Sequence, residues 1–144
     1  MSFFNMRLIG AENLNRRLSI FNLEAQRKVK DVVNESALNI RNNAVQSMSE
    51  TKTGQTYRRR TITHRASAPG EAPATDTARL KASVRARFFT GGLSAEIGTN
   101  VGYGRMLEFG TRNIAPRPWL NPAFEAERDN YINKLRDALR DASG

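Results

Sequence analysis

The chain has 144 residues, 39% hydrophobic and 26% charged, with a formal net charge of +9 and no cysteine. That length fits one domain around one core, spanning residues 1–144. The lack of cysteine excludes disulfides, thiolate nucleophiles and sulfur-ligated metals. No apolar run is long enough to span a bilayer. The opening Met1-Ser2-Phe3-Phe4-Asn5-Met6-Arg7 lacks the charged lead and apolar block of a signal peptide. The expectation is therefore a protein that stays in the cytosol where it is made, with no membrane partner. The charge is uneven: residues 51–90 hold nine Lys/Arg against two acids, and residues 91–144 hold seven of each. A basic block of this kind suits nucleic acid, an acidic partner or a solvated loop, and composition does not choose among them.

In chain order, Phe4, Met6 and Leu8 alternate with polar residues and predict a short strand over 4–9 that Gly10 ends. Leu14, Leu18 and Phe21 share a helical face, which gives a short helix near 11–20. Ala25, Val29, Val32, Ser36, Ile40 and Ala44 continue at helical spacing and predict a long helix over 23–49. Asn22 is placed to cap it, with Glu24 suited to its dipole. The stripe is read as core packing. Residues 51–75 show no period and are rich in Thr, Ser, Gly, Pro and Arg, with a turn at Pro69-Gly70. They are expected to form a long, mobile basic loop. Thr75 or Asp76 caps a short helical turn through Leu80. Val84, Ala86 and Phe88, then Leu93, Ala95 and Ile97, alternate with polar residues around Gly91-Gly92 and predict a hairpin over 84–89 and 93–99. Tyr103–Phe109 fits one or two helical turns stopped by Gly110. Asn121-Pro122 starts a last helix to about 142, with Phe124, Tyr131, Leu135, Ala138 and Ala142 on one face. The expected fold is α+β: a small antiparallel sheet packed against a long N-terminal helix, with a C-terminal helix and a long basic loop.

The inventory for catalysis is thin. The one histidine, His64, falls in the basic loop and has no second histidine to share a metal. Gly102-Tyr103-Gly104 lacks the third glycine of a phosphate loop, and no serine elbow is present. Glu108 sits among Leu107, Phe109 and Gly110; a nearby arginine is the expected partner, Arg117 first, Arg105 second and Arg112 further off. No catalytic residue, cofactor or metal is assigned. A small hydrolase built on Glu108, Asp76 and His64 is the least favoured alternative.

Two segments carry a more specific signal. The first is Gly104-Arg105-Met106-Leu107-Glu108-Phe109-Gly110-Thr111, followed by Ala115-Pro116-Arg117-Pro118-Trp119-Leu120-Asn121-Pro122-Ala123-Phe124. It resembles the Tyr-Ala-x-x-x-Glu-Phe-Gly-Thr … Ala-Pro-Arg-Pro-Phe-Leu-x-Pro-Ala-Phe signature of the tail-completion (neck, head–tail joining) family of siphophages and related prophages. The second is Ser67-Ala68-Pro69-Gly70-Glu71-Ala72-Pro73-Ala74-Thr75-Asp76-Thr77, with Arg79-Leu80 and Ser83-Val84 after it. It is similar to that family's Pro-Gly-x-x-Pro-x-x-Asp-Thr-Gly-x-Leu-x-x-Ser-Ile segment. The order of elements also resembles the family's, and the matching stretches cover roughly residues 51–140. Gly104, Ala78 and Trp119 stand where the family usually has Ala, Gly and Phe.

The resemblance implies a virion protein at the head–tail junction, made in the host bacterial cytoplasm. It implies a homo-oligomeric ring, contacts with head-connector and tail-tube or tail-terminator proteins, and DNA passing through without sequence preference. The expected structural and interface residues are Tyr103, Gly104, Glu108, Phe109, Gly110, Thr111, Pro116, Arg117, Pro118, Trp119, Pro122 and Phe124. Arg58, Arg59, Arg60 and Arg65 are expected to face DNA or a docking partner. The alternative is a free-standing basic nucleic-acid-binding protein; charge favours it, while the neutral C-terminal third and the Glu-Phe-Gly-Thr segment do not.

Overall fold

The computed structural model describes residues 3–8, 23–50, 52–54, 56–59, 62–73 and 78–143. The elements in order are β1 (Phe4–Leu8), α1 (Leu23–Ser47), β2 (Thr56–Arg59), β3 (Ile62–Arg65), α2 (Ala78–Ser83), β4 (Arg85–Phe89), β5 (Ser94–Thr99), α3 (Tyr103–Phe109) and α4 (Asn121–Ser143). The class is α+β, as the alternating strands beside a long apolar stripe predict. The expected helix near 11–20, the caps at Asn22, Thr75 and Asp76, and the side chain of Ala142 lie outside the described residues.

The three-stranded sheet has the order β1-β5-β4, antiparallel throughout, with Phe4 opposite Thr99, Met6 opposite Ile97 and Ala86 opposite Ile97. β5 is the central strand, so both of its faces are buried. Ala95, Ile97 and Thr99 face the core with Leu8 and the half-buried Phe4 and Met6. On the other face Glu96 sits between Arg7 and Arg87, with nitrogen–oxygen distances of 2.8 and 3.2 Å. The Arg87 guanidinium also stacks 3.8 Å from the Phe3 ring centre. Phe88 was expected inward but is exposed, on a strand whose residues are exposed apart from half-buried Ala86. The turn between β4 and β5 places Gly91 and Gly92 at φ of 64° and 97°, conformations that side chains resist.

α1 buries Ala25, Val29, Val33, Ala37, Ile40 and Ala44, and it packs on both the sheet and α4. Each fully buried Val or Ile of this kind contributes roughly 1.5–3 kcal/mol. α4 runs along α1. Ser36 looks out of place in the apolar stripe until its partner is seen: its hydroxyl donates to buried Glu127 at 2.9 Å. Asn39 and Asn130 donate to the same oxygen at 3.2 and 2.8 Å. Lys134 reaches Glu35 across the same interface. At the end of α1 the Lys52 ammonium donates to the Ser47 carbonyl at 2.6 Å and satisfies one of the free helix-end acceptors.

Residues 51–75 are not irregular throughout. β2 and β3 form a two-stranded antiparallel hairpin, Thr56 opposite Arg65 and Arg59 opposite Ile62, separate from the main sheet. The periodicity missed it because arginines fill positions where alternating apolar residues would show a strand. Thr56, Tyr57, Ile62 and Thr63 nevertheless favour extended backbone.

Tyr131 packs in the core with its hydroxyl buried and, among the described residues, without a hydrogen-bond partner. Burial also pushes its phenol pKa up. An unsatisfied buried donor costs about 1–3 kcal/mol. Tyr131→Phe is therefore expected to leave stability unchanged or raise it, read as the denaturant midpoint. A clear loss of stability would show that the hydroxyl has a partner in solution.

Candidate functional site

The two segments singled out in the sequence lie side by side. Their centre is Glu108, on α3 and 5% exposed. The sequence assigned it an arginine. The carboxylate instead accepts three backbone N–H bonds: Trp119 and Leu120 donate to Oε2 at 2.8 and 2.9 Å, and Asn121 donates to Oε1 at 2.8 Å. The physical reason is the helix that begins there. Amides at the start of α4 have no partner within the helix and carry the positive end of its dipole. They meet the carboxylate without a second charge having to be desolvated. Arg105 is exposed, and Arg117 is turned elsewhere.

Trp119 is 1% exposed and closes the arrangement. Its indole N–H donates to the Gly104 carbonyl at 2.9 Å, and its ring meets Phe4 edge-on at 6.3 Å. A Cβ on Gly104 would lie 2.6 Å from Thr99 Cγ2, 3.1 Å from Leu80 and 3.4 Å from the Trp119 ring. Two departures from the resembled signature, Gly104 and Trp119, are thus neighbours, but it is the Thr99 methyl that leaves no room for a side chain at 104. Tyr103 and Phe124 are half-buried around this centre, and Phe4 also meets Phe109 edge-on at 5.7 Å. Phe109, although beside the core, is largely exposed, as are Met106 and Ile114.

Gly110 reverses the chain after α3 at φ 76°, with its N–H on the Met106 carbonyl at 2.8 Å. A Cβ there would strike the Ile114 carbonyl and Pro116. Thr111 and Ile114 then bond to each other as a small bridge. The chain returns along α3: the Arg117 N–H donates to the Leu107 carbonyl at 2.6 Å. Pro116 and Pro118 have no N–H to satisfy, so this strap runs close to α3 without orphaned donors. Pro122 occupies the first turn of α4, where the lack of an N–H costs nothing.

The second segment docks on this strap. The Gly70 N–H donates to the Pro116 carbonyl at 2.9 Å, and Arg117 Nε donates to the Ser67 carbonyl at 3.2 Å. Its turn is held by Glu71, which accepts from the amides of Thr53 and Ala68 at 3.1 and 2.9 Å and from the Thr53 hydroxyl. These bonds, the Thr53 hydroxyl foremost, hold the Glu71 pKa down at about 2. Gly54 lies so close to this turn that a Cβ would sit 2.4 Å from the Ala66 carbonyl. The sequence missed the Thr53–Glu71 clasp. The legible part was its other bond, a carboxylate three residues after the Ala68 amide across a Pro-Gly turn.

The arginines expected to face outward are not part of this centre. Arg58 and Arg65 are exposed on the hairpin, Arg59 lies in β2, and Arg60 lies outside the described residues. His64 is in β3, and Asp76 lies outside the described residues. Glu108 itself is committed to backbone amides. Among the described residues no group of three or more His, Cys, Asp or Glu is placed to hold a metal.

Glu108→Gln replaces one acceptor by an amide donor facing other donors, so it should cost about 2–3 kcal/mol of stability by chemical denaturation. Trp119→Ala should cost about 3–5 kcal/mol, because the ring is buried within one chain. Wild-type stability for both would show that this centre does not hold the fold. For Glu71 the folded pKa of about 2 lies below the ordinary 4.5, so its contribution is present above pH 4.5 and is lost as pH falls toward 2. The Thr53 and Ala68 amide resonances should therefore move with a midpoint near 2, and Glu71→Gln should abolish the transition.

No protein-family model, curated protein or solved structure matches the chain.

Proposed function

We propose that the protein is a structural component of the head–tail junction of a long-tailed bacteriophage or phage-like particle. In this reading it is a tail-completion protein that assembles as a ring through which DNA passes, and not an enzyme. One observation carries the reading. The two segments that resemble the family's signature are some forty residues apart in sequence, yet they bond to each other through Gly70–Pro116 and Ser67–Arg117. The positions that make the signature specific each have a packing or hydrogen-bonding task there: Glu108 caps α4, Gly110 turns the chain, and Trp119 fills the core.

The rest of the molecule is compatible with that role. A ring needs heterologous contacts, and these use surface that the fold itself leaves free. Among the described residues the β2–β3 hairpin pairs with itself and not with the main sheet, and it carries exposed Arg58 and Arg65. A conduit holds DNA through backbone charge, without base readout, and scattered arginines suit that task. No helix among the described residues is long and apolar enough to cross a membrane.

The test uses the chain with Arg58, Arg59, Arg60 and Arg65 all changed to Glu. Exposed arginines contribute little to a fold, so melting should stay near the wild-type value. Infectious or DNA-transferring particles should fall sharply, and electron micrographs of wild-type particles should place the protein at the neck. Amide protection over 56–65 should rise from free protein to assembled ring. Normal particles from the fourfold variant, with salt-dependent duplex binding by the isolated wild-type protein, would instead favour the free-standing nucleic-acid-binding alternative.

A further inference from the structure

We propose that the free edge of β4 takes an extended, acidic segment of a different protein as a fourth strand of the main sheet. The docking needs no ring and no second copy of this chain.

β4 pairs with β5 on one side, and among the described residues no strand pairs with its other side. In an antiparallel pair every second residue directs its N–H and C=O away from the partner strand. The outer edge of β4 therefore carries a row of backbone donors and acceptors. The edge is open: Arg85, Arg87, Phe88 and Phe89 are exposed, and Ala86 is half-buried. Ala86 and Phe88 stand opposite Ile97 and Ala95, on the core-side face of the sheet, while Phe89 shares the other face with Arg85 and Arg87. Phe88 is 42% exposed and Phe89 39%. The strand thus leaves an aromatic ring uncovered on each of its faces, which is the apolar surface a neighbouring strand covers.

The charge along this edge has one sign. Arg85 and Arg87 lie on the strand itself. Arg41 of α1 donates from Nε to the Val84 carbonyl at 3.3 Å, at the start of β4. Beyond its end, the Lys30 side chain passes 3.5 Å from where a Cβ on Gly92 would lie. Glu96, across from Arg87, is shared between Arg87 and Arg7.

That charge selects the occupant. β1, β2, β3 and β4 each contain an arginine and no acid. Like charges directly opposite each other across two strands destabilise the pair, and two β4 edges joined about their middle would set Arg87 against Arg87. A second copy of this chain is therefore a poor fourth strand, and a segment with carboxylates at alternate positions is a good one. A nucleic-acid backbone fits less well. Its phosphates accept hydrogen bonds and offer nothing to the outward carbonyls of β4. Strand addition takes its affinity from main-chain bonds and its specificity from alternate side chains, and β4 presents both.

The probe is a capped, labelled peptide, Thr-Val-Glu-Val-Glu-Thr. Antiparallel to β4, it sets valines against Phe88 and Ala86 and glutamates against Arg87 and Arg85. Binding to the wild-type chain is read by fluorescence anisotropy and by amide exchange, and the amides of 85–89 should gain protection. Arg85→Glu should weaken binding by about tenfold or more at unchanged melting temperature, and a peptide with lysine for both glutamates should not bind. N-methylation of the two valines and of the two glutamates, tested separately, should abolish binding in one peptide and spare it in the other, because alternate amides point to opposite sides of a strand. No protection of 85–89 at millimolar peptide overturns the docking, as does unchanged binding by Arg85→Glu or equal binding of the lysine peptide. Concentration-dependent protection of 85–89 in the chain alone assigns the edge to a second copy and overturns it. Protection by duplex DNA and not by the peptide assigns it to phosphate and overturns it too.

Discussion

The Glu108 carboxylate meets the amides of Trp119, Leu120 and Asn121, and the direction of the last helix follows from that contact. A helix start is a fixed array of N–H groups, so an acceptor with two oxygens on a rigid helical turn sets both its position and its tilt. Once α4 is aimed this way, Tyr131 and Ala138 fall on the core side and Glu127 reaches Ser36 on α1. The contact is buried, which makes it conditional as well as strong. Hydrogen bonds to a charged group are worth about 1.5–3 kcal/mol each, and the same carboxylate without its donors would be a heavy penalty. A chain that fails to deliver residues 119–121 to α3 therefore has little to gain from any near-native arrangement.

Glu71 repeats the device on a smaller scale. Both carboxylates bind backbone N–H groups that lack a partner in their own strand or helix, Glu71 in a connector and Glu108 at the start of α4. Proline use follows the same logic. All five prolines, at 69, 73, 116, 118 and 122, fall in the two segments these carboxylates organise. Each removes a donor that a tightly packed connector would otherwise have to satisfy, and each lowers the entropy lost when the connector is fixed. Gly70 and Arg117 join the two irregular segments to each other.

The regular elements were legible in the sequence because burial imposes a period. The stripe from Ala25 to Ala44 gave α1, and the alternation at Ala95 and Ile97 gave β5. Two kinds of feature were not legible. A hairpin that buries little has no apolar period, and β2–β3 was hidden by its own arginines. Long-range partners of polar groups were the other. Glu108 was recognised as unusual from its apolar neighbours, but the choice of an arginine followed from counting charges. Backbone amides at a helix start carry no letter in the sequence, so a carboxylate aimed at them looks unpaired until the chain is folded. Ser36 is the same case in reverse: it reads as a weak point in a stripe, and Glu127 accounts for it only from ninety-one residues away.

The placement of charge separates folding from whatever the surface does. The described acids that hold the fold together, Glu71, Glu96, Glu108 and Glu127, are engaged by backbone groups, arginines or neutral side chains. The region after residue 90 is neutral in sum, and α4 packs on α1 through alternating signs such as Lys134 with Glu35 and Lys28 with Asp141. The excess positive charge is concentrated in residues 51–90, on a hairpin that the main sheet does not include and on an edge strand. Charge held apart from the core repels little within the fold, yet it is fully available to an opposite surface outside it. Stability that rests on buried, short-range contacts responds weakly to ionic strength, whereas association through exposed arginines responds strongly.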